Sequence, residues 1–158
     1  MPAFPFGIKP SIPYNTGGRK FGASRTEGKR KHAGCDLIAP EGTAIYAAES
    51  GTLIRGMYAF YHGTYAIEIK LDSGPVLRYC EIKSVVAGLE VGGKVSEGQV
   101  IAYVGKMYKD SMLHFEMYAG TMTGSLTDRS KSPFQRRSDL IDPSEYLGKC
   151  YLVPQADG

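Results

Sequence analysis

The chain has 158 residues, 42% hydrophobic and 22% charged, with a formal net charge of +3. That length makes one domain with room for a buried core. The composition argues against a disordered or collagen-like chain, and no apolar run reaches the length of a membrane helix.

Residues 1–31 read as an irregular, basic lead-in that wraps the domain. Pro2, Pro5, Pro10 and Pro13, then Gly17, Gly18, Gly22 and Gly28, interrupt any regular period. The start, MPAFPFGIKPSIPY, lacks a charged opening, an apolar stretch and a small-residue cleavage site, so it does not read as a secretory signal. From residue 32 to 150 short strands alternate with turns: HAGCDLIA, TAIYAAES, TLIRGMYAF, TYAIEIKL, VLRYCEIK, QVIAYVG and MLHFEMYA. Between them lie PEG, ESG, HG, DSGP, VGG and SEG. In TYAIEIKL, Tyr65, Ile67 and Ile69 share one face, Glu68 and Lys70 the other. Twenty Gly and eleven Tyr with no Trp agree with this turn-rich β reading. The spacing predicts a mainly β domain, a sandwich or a partly closed barrel. Residues 120–142 read as a long polar loop. DPSEYL predicts a helical turn with Asp142 as N-cap, Pro143 first and Glu145 third. Residues 151–158 are a C-terminal tail.

Cys35, Cys80 and Cys150 form an odd set without CxxC spacing. This argues against a disulfide framework or a Cys-rich zinc site and leaves buried free thiols. Charge is uneven. Arg19, Lys20, Arg25, Lys29, Arg30 and Lys31 face a single Glu27, and a second patch runs through Arg129, Lys131, Arg136 and Arg137. The plain reading is solvated surface. The functional one is attraction to an anionic polymer such as cell-wall glycan or teichoic acid. No nucleic-acid motif accompanies the charge.

Two short motifs carry the chemistry. RKHAGCDLIAP holds His32 and Asp36; SMLHFEMY holds His114 and Glu116. Two His with carboxylates suit a divalent metal, zinc above all. His32 and Asp36 have equal strand parity, with Gly34 between them leaving room for a metal. Met112, His114 and Glu116 share one face of their strand; Leu113, Phe115 and Met117 share the other and should enter the core. In VLRYCEIK, parity puts Tyr79 and Glu81 on one side and Cys80 on the other. The remaining histidine, His62 in YHGTY, reads as an ordinary hydrogen-bonded residue. Glu116 is either a partner fixing the tautomer of His114 or a solvated carboxylate.

The run HAGCDLIAPEGTAIYAAESGTL resembles the first half of the lysostaphin-type, or LytM-like, zinc metallopeptidases. The likeness continues through GTYAIEIKLDSG, VLRYCEI, LEVGGKVSEGQVIAYVG, MLHFEMY and DLIDPSEYL, covering roughly residues 30–147 in the family's motif order. It implies a single-domain antiparallel β-sheet groove of barrel-sandwich-hybrid type with long flanking loops. It further implies one zinc per chain on His32, Asp36 and His114, with Glu116 and Met112 around the ligands. The activity implied is endopeptidase cleavage of stem or cross-link amides of peptidoglycan by a zinc-activated water. The chain departs from the family twice. Met112 stands for the first His of H-x-H, and Glu81 in YCEI for a further His. Met112 has no proton to give. Glu81 is a competent general base, with Tyr79 or Tyr65 assisting the oxyanion.

Two alternatives stand beside the enzyme. One is a degenerate zinc-binding module of the same fold, acting by binding cell wall or a protein partner. The other is a lipoyl-like carrier, for which no modifiable Lys is presented at a hairpin tip. Without a signal, the expected route is synthesis in the cytoplasm and action in the periplasm or wall after phage- or secretion-system delivery. Delivery machinery or an immunity protein would then be the partners.

Overall fold

The computed structural model describes residues 1–155; the end of the 151–158 tail lies outside the described residues. The strands in chain order are β1 (Ser24–Arg25), β2 (Arg30–Lys31), β3 (Cys35–Ile38), β4 (Ala44–Tyr46), β5 (Gly51–Ala59), β6 (Tyr65–Leu71), β7 (Val76–Val85), β8 (Lys94–Val95), β9 (Val100–Val104), β10 (Lys106–Met107), β11 (Asp110–Tyr118) and β12 (Leu140–Ile141). One short helix, α1 (Ser144–Gly148), follows. Each of the seven apolar runs between turn signals contains a strand. The fold is a mainly antiparallel β-sheet with few helices.

A ten-stranded sheet runs β10-β11-β7-β6-β5-β8, with β3 and β12 on β11, β9 on β7 and β4 on β9. A separate hairpin pairs β1 with β2. Leu113, Phe115 and Met117 enter the core beside Leu37, Ile67, Leu77 and Ile101. The opposite face of β11 carries His114 and Glu116. Because β3 pairs β11 with His114 opposite Asp36, two distant parts of the chain arrive side by side.

Four details differ from the pattern read in the sequence. Residues 24–31 are a hairpin rather than irregular chain; Thr26, Glu27 and Gly28, all at positive φ, make its turn. Residues 3–6 belong to the core: Phe4 and Phe6 are buried, Ala3 N–H donates to Ala48 O at 2.8 Å, and Phe4 N–H donates to Tyr151 O at 2.7 Å. The polar face expected of β6 is covered too. Glu68 is buried and accepts from the Tyr58 hydroxyl at 2.6 Å. Helix α1 begins at Ser144, one residue later than expected. Asp142 Oδ1 still accepts from Ser144 N–H at 2.9 Å and Ser144 Oγ at 2.6 Å, holding the chain as it enters the helix. Among the described residues no helix is long and apolar enough to cross a membrane.

Candidate metal centre

Three side chains converge at one end of the sheet. His114 Nδ1 lies 2.9 Å from Asp36 Oδ1 and 3.2 Å from His32 Nε2, and His32 Nε2 lies 3.1 Å from the same Asp36 oxygen. Donor atoms around a tetrahedral zinc at its usual bond lengths stand roughly 3.3 Å apart. The triangle therefore already has about the size that a zinc ion requires. All three residues line one cleft of about 420 Å³.

The outer nitrogen of each imidazole is committed elsewhere. His32 Nδ1 lies 2.9 Å from Lys20 O, which accepts its N–H. His114 Nε2 lies 2.7 Å from Glu116 Oε2. These partners put the proton on the outer nitrogen and turn the other nitrogen's lone pair toward Asp36, the tautomers a metal needs. In the metal-free protein the contacts of His114 stabilise an imidazolium. Burial disfavours charge on His114, but hydrogen bonds to Asp36 and Glu116 outweigh it and lift its pKa to about 10. Burial likewise opposes the Asp36 charge, and hydrogen bonds from His114 and His32 hold its carboxyl well below the usual range.

Glu116 is the hub of a buried ion cluster. Its Oε1 accepts from Arg78 Nε at 3.0 Å, Arg78 Nη2 at 2.7 Å and the Tyr118 hydroxyl at 2.5 Å. Its Oε2 accepts from Arg136 Nε at 3.1 Å in addition to His114. Arg78 continues outward to Tyr58 and Thr127. Burial pushes the Glu116 pKa up, yet the two guanidiniums and His114 bring it well below normal. Cys80 sits close by, with Sγ, His114 and Glu116 near enough to share an ion. Burial raises its thiol pKa, and His114 Nε2 is already held by Glu116. Of the second basic patch, Arg136 and Arg137 are buried and paired, with Glu116 and Asp139 respectively, rather than solvated.

On the far side of the triad stands Glu81, with φ of +66°. It is an extra residue in β7: opposite β6, Ala66 pairs Cys80 and Tyr65 pairs Ile82, with the register shifting between them. Such a bulge puts two successive side chains on the same face. Cys80 and Glu81 thus both look toward the site, where strict alternation predicted opposite faces. Gly105 permits this: its N–H donates to Glu81 O at 2.9 Å, and a Cβ there would stand 2.7 Å from that oxygen. Glu81 is buried, lines the cleft, and its Oε2 has no hydrogen-bond partner. Burial lifts its pKa to about 7, with His114 pulling it down and Asp36 and Glu116 pushing it up. A strained, orphaned carboxylate at a cleft floor is a functional signal.

The bulge also overturns the expectation for Tyr79. Its ring is in the core against Phe115, and its hydroxyl accepts from Ala48 N–H at 3.0 Å. Tyr65 is exposed at the start of β6 and is not among the residues lining the cleft. Met112 does line the cleft. Gly34 serves strand approach rather than metal room: a Cβ there would meet Phe115 O at 2.4 Å and His114 Cε1 at 3.0 Å. The opposite wall comes from residues 60–62: Phe60 stacks on His114 with centroids 6.1 Å apart, and His62 Nδ1 meets the Tyr108 hydroxyl at 3.0 Å. Sequence reasoning missed Arg78, whose signal was a cation within the apolar run 76–80.

The profile of peptidase family M23 matches residues 30–127. The chain belongs to peptidase family M23. That match spans both motifs and every strand of the ten-stranded sheet except β12. Myeloid protein 1 of Gallus gallus is 36% identical over 85 residues, which are 51% of this chain and 24% of that protein. Peptidoglycan DD-endopeptidase ShyC of Vibrio cholerae is 29% identical over 76 residues, 48% of this chain and 17% of that protein. The matched regions are thus about a quarter or less of these two relatives' lengths. The catalytic domain of lysostaphin from Staphylococcus simulans superposes with a TM-score of 0.62 at 21% identity, covering 82% of this chain and 90% of that domain. That likeness establishes the shared fold. Within the M23 fold, the cleft at the β3–β11 edge is where this chain gathers its metal-binding residue types.

Proposed function

We propose that this chain is a zinc-dependent endopeptidase that cleaves stem or cross-link amides of peptidoglycan. The observation that carries the reading is the pairing of a zinc-sized triangle of His32, Asp36 and His114 with the unpartnered carboxylate of Glu81 in one cleft. Membership of a peptidase family and the match to a peptidoglycan endopeptidase support the reaction class. Zinc in this position supplies Lewis acidity to a carbonyl and lowers the pKa of water.

The chain's own residues divide the remaining work. Asp36 brings negative charge to the ligand set, and His32 and His114 bring lone pairs fixed by Lys20 O and Glu116. Glu81 takes the proton from the attacking water and returns it to the departing amine nitrogen. Its isolation from donors leaves Oε2 free to do so. Phe60 and Met112 present apolar surface that limits water in the cleft.

The test is digestion of purified peptidoglycan by the zinc-loaded chain, with and without chelator, read by mass spectrometry. New muropeptides that vanish with chelator, with His114→Ala and with a Glu81→Gln variant that still holds zinc, are the expected result. If Glu81→Gln retains full cleavage, Glu81 is not the base. Met112, a thioether beside the triad where no proton can be supplied, favours a second reading: a module that keeps the metal and acts by binding. The match to Myeloid protein 1 agrees with either. No products from a fully zinc-loaded chain would establish the binding module instead.

A further inference from the structure

The hairpin β1–β2 runs directly into the metal centre, since Lys31 is followed by His32. It is lashed down at several points. Gly22 N–H donates to His32 O at 2.8 Å, His32 N–H to Ala23 O at 2.8 Å, and Lys31 N–H to Pro133 O at 2.9 Å. In this rigid hairpin Arg25 and Arg30 are direct cross-strand partners. Like charges in that relation repel and destabilise a strand pair. Glu27 lies in the hairpin's own turn and Glu81 feels the Arg25 charge, but neither is within ion-pair distance of either arginine. Arg25 donates only to the neutral carbonyls of Ser24 and Gly18, and among the described residues no ion pair includes Arg25, Arg30 or Lys31. Yet all three line the same cleft as the triad, whereas the carboxylates there, Asp36 and Glu81, belong to its floor.

We infer that Arg25 and Arg30 form a carboxylate-binding subsite beside the metal triad, so that the peptide taken by this cleft carries a negative charge on its hairpin side. Two cross-strand arginines on one face of the hairpin suit a single carboxylate, whose oxygens can accept from both. The inference rests on reading the cleft as a peptide site. A polyanion surface is less well served, because its cations should extend over open ground rather than line a cleft closed on the far side by Phe60 and Tyr61. The carboxylate can come from an acidic side chain or from a chain terminus.

The test uses the zinc-loaded full chain and amide NMR titration with acetylated, amidated penta-alanine peptides bearing one Glu or one Gln at each position in turn. A penta-alanine with a free C-terminus forms a separate arm. At one position, or in the free-terminus arm, the anionic peptide should bind about tenfold tighter than its neutral counterpart. The double variant Arg25→Gln/Arg30→Gln should bring that ratio close to one, with zinc content unchanged and thermal stability no lower than that of the parent chain. Arg129→Gln/Lys131→Gln, altering exposed cations outside the cleft, should leave it intact. Equal binding of charged and neutral peptides at every position overturns the subsite, as does a ratio that survives the hairpin variant. It is equally overturned if heparin fragments bind tighter than any peptide and both double variants weaken them alike. Binding is read without turnover. A preserved charge preference with no peptidoglycan cleavage therefore refutes the peptidase reading alone, and cleavage without preference refutes the subsite alone.

Discussion

The two sides of the metal cleft are built on opposite principles. On the β3–β11 side the imidazoles and Glu116 are committed: His32 to Lys20 O, His114 to Glu116, and Glu116 to two arginines and a tyrosine. On the β7 side Glu81 sits on a bulge at positive φ with an oxygen that bonds to nothing. The first side is arranged to hold an ion in one geometry. The second is left under strain and unsatisfied, the condition of groups kept for a ligand or a proton. Holding the metal and using it are therefore separable here, and substitutions on the two sides should fail in different ways.

The largest effect belongs to the held side. His114→Ala removes one vertex of the triangle, so the protein should lose its zinc on dialysis, by elemental analysis, together with the thermal stabilisation that added zinc gives. Arg78→Met comes next. It leaves the fully buried Glu116 charge with Arg136 alone among its guanidiniums, and should destabilise the fold by about 3–5 kcal/mol in urea unfolding. Stability within about 1 kcal/mol of wild type would mean that the cluster is not rigidly held.

The residues that make this contrast were unequally visible in the sequence. Strands bounded by Gly-rich turns, and the apolar alternation Leu113, Phe115, Met117, reflect local chemistry and could be read directly. The meeting of His32, Asp36 and His114 depends on β3 lying beside β11, which motif order suggests and strand parity alone does not. Glu81 was seen, but its neighbours were assigned wrongly, because parity holds only in a regular strand and the bulge puts Cys80 and Glu81 on one face. Arg78 and Arg136 looked like ordinary cations because the carboxylate that buries them lies 38 and 20 residues away in the chain. Gly105 gave no sign that it makes room for the Glu81 backbone.

On the other side of the cleft, Glu81→Gln should stabilise the metal-free protein, and only at higher pH. The folded-state pKa of about 7 lies above the ordinary 4.5. Below pH 4.5 the carboxyl is protonated in both states and contributes nothing. Between these values the unfolded chain releases a proton that the folded chain keeps, so stability falls as pH rises. Above 7 the folded state carries the full cost of a buried, unpartnered charge, roughly 3 kcal/mol. Gln escapes that cost. Denaturation curves in chelator should therefore coincide at pH 4 and separate progressively to pH 8, with the variant more stable. Curves that stay together at pH 8 would mean that Glu81 finds a partner in solution.

Tyr118→Phe makes the smallest change and divides the held side itself. The Tyr118 hydroxyl donates to Glu116 Oε1, the oxygen that Arg78 already holds twice, while His114 bonds to Oε2. Losing a hydrogen bond to a buried charged group should cost about 1.5–3 kcal/mol in unfolding. It should not move His114, because Arg136 still fixes Oε2. Zinc affinity, measured by competition with a chromogenic chelator, should then stay within about threefold of wild type, short of the 10–100-fold loss usual when a ligand's direct support is removed. An affinity loss as large as that would show that the cluster positions His114 as one cooperative unit, rather than through the single oxygen that touches it.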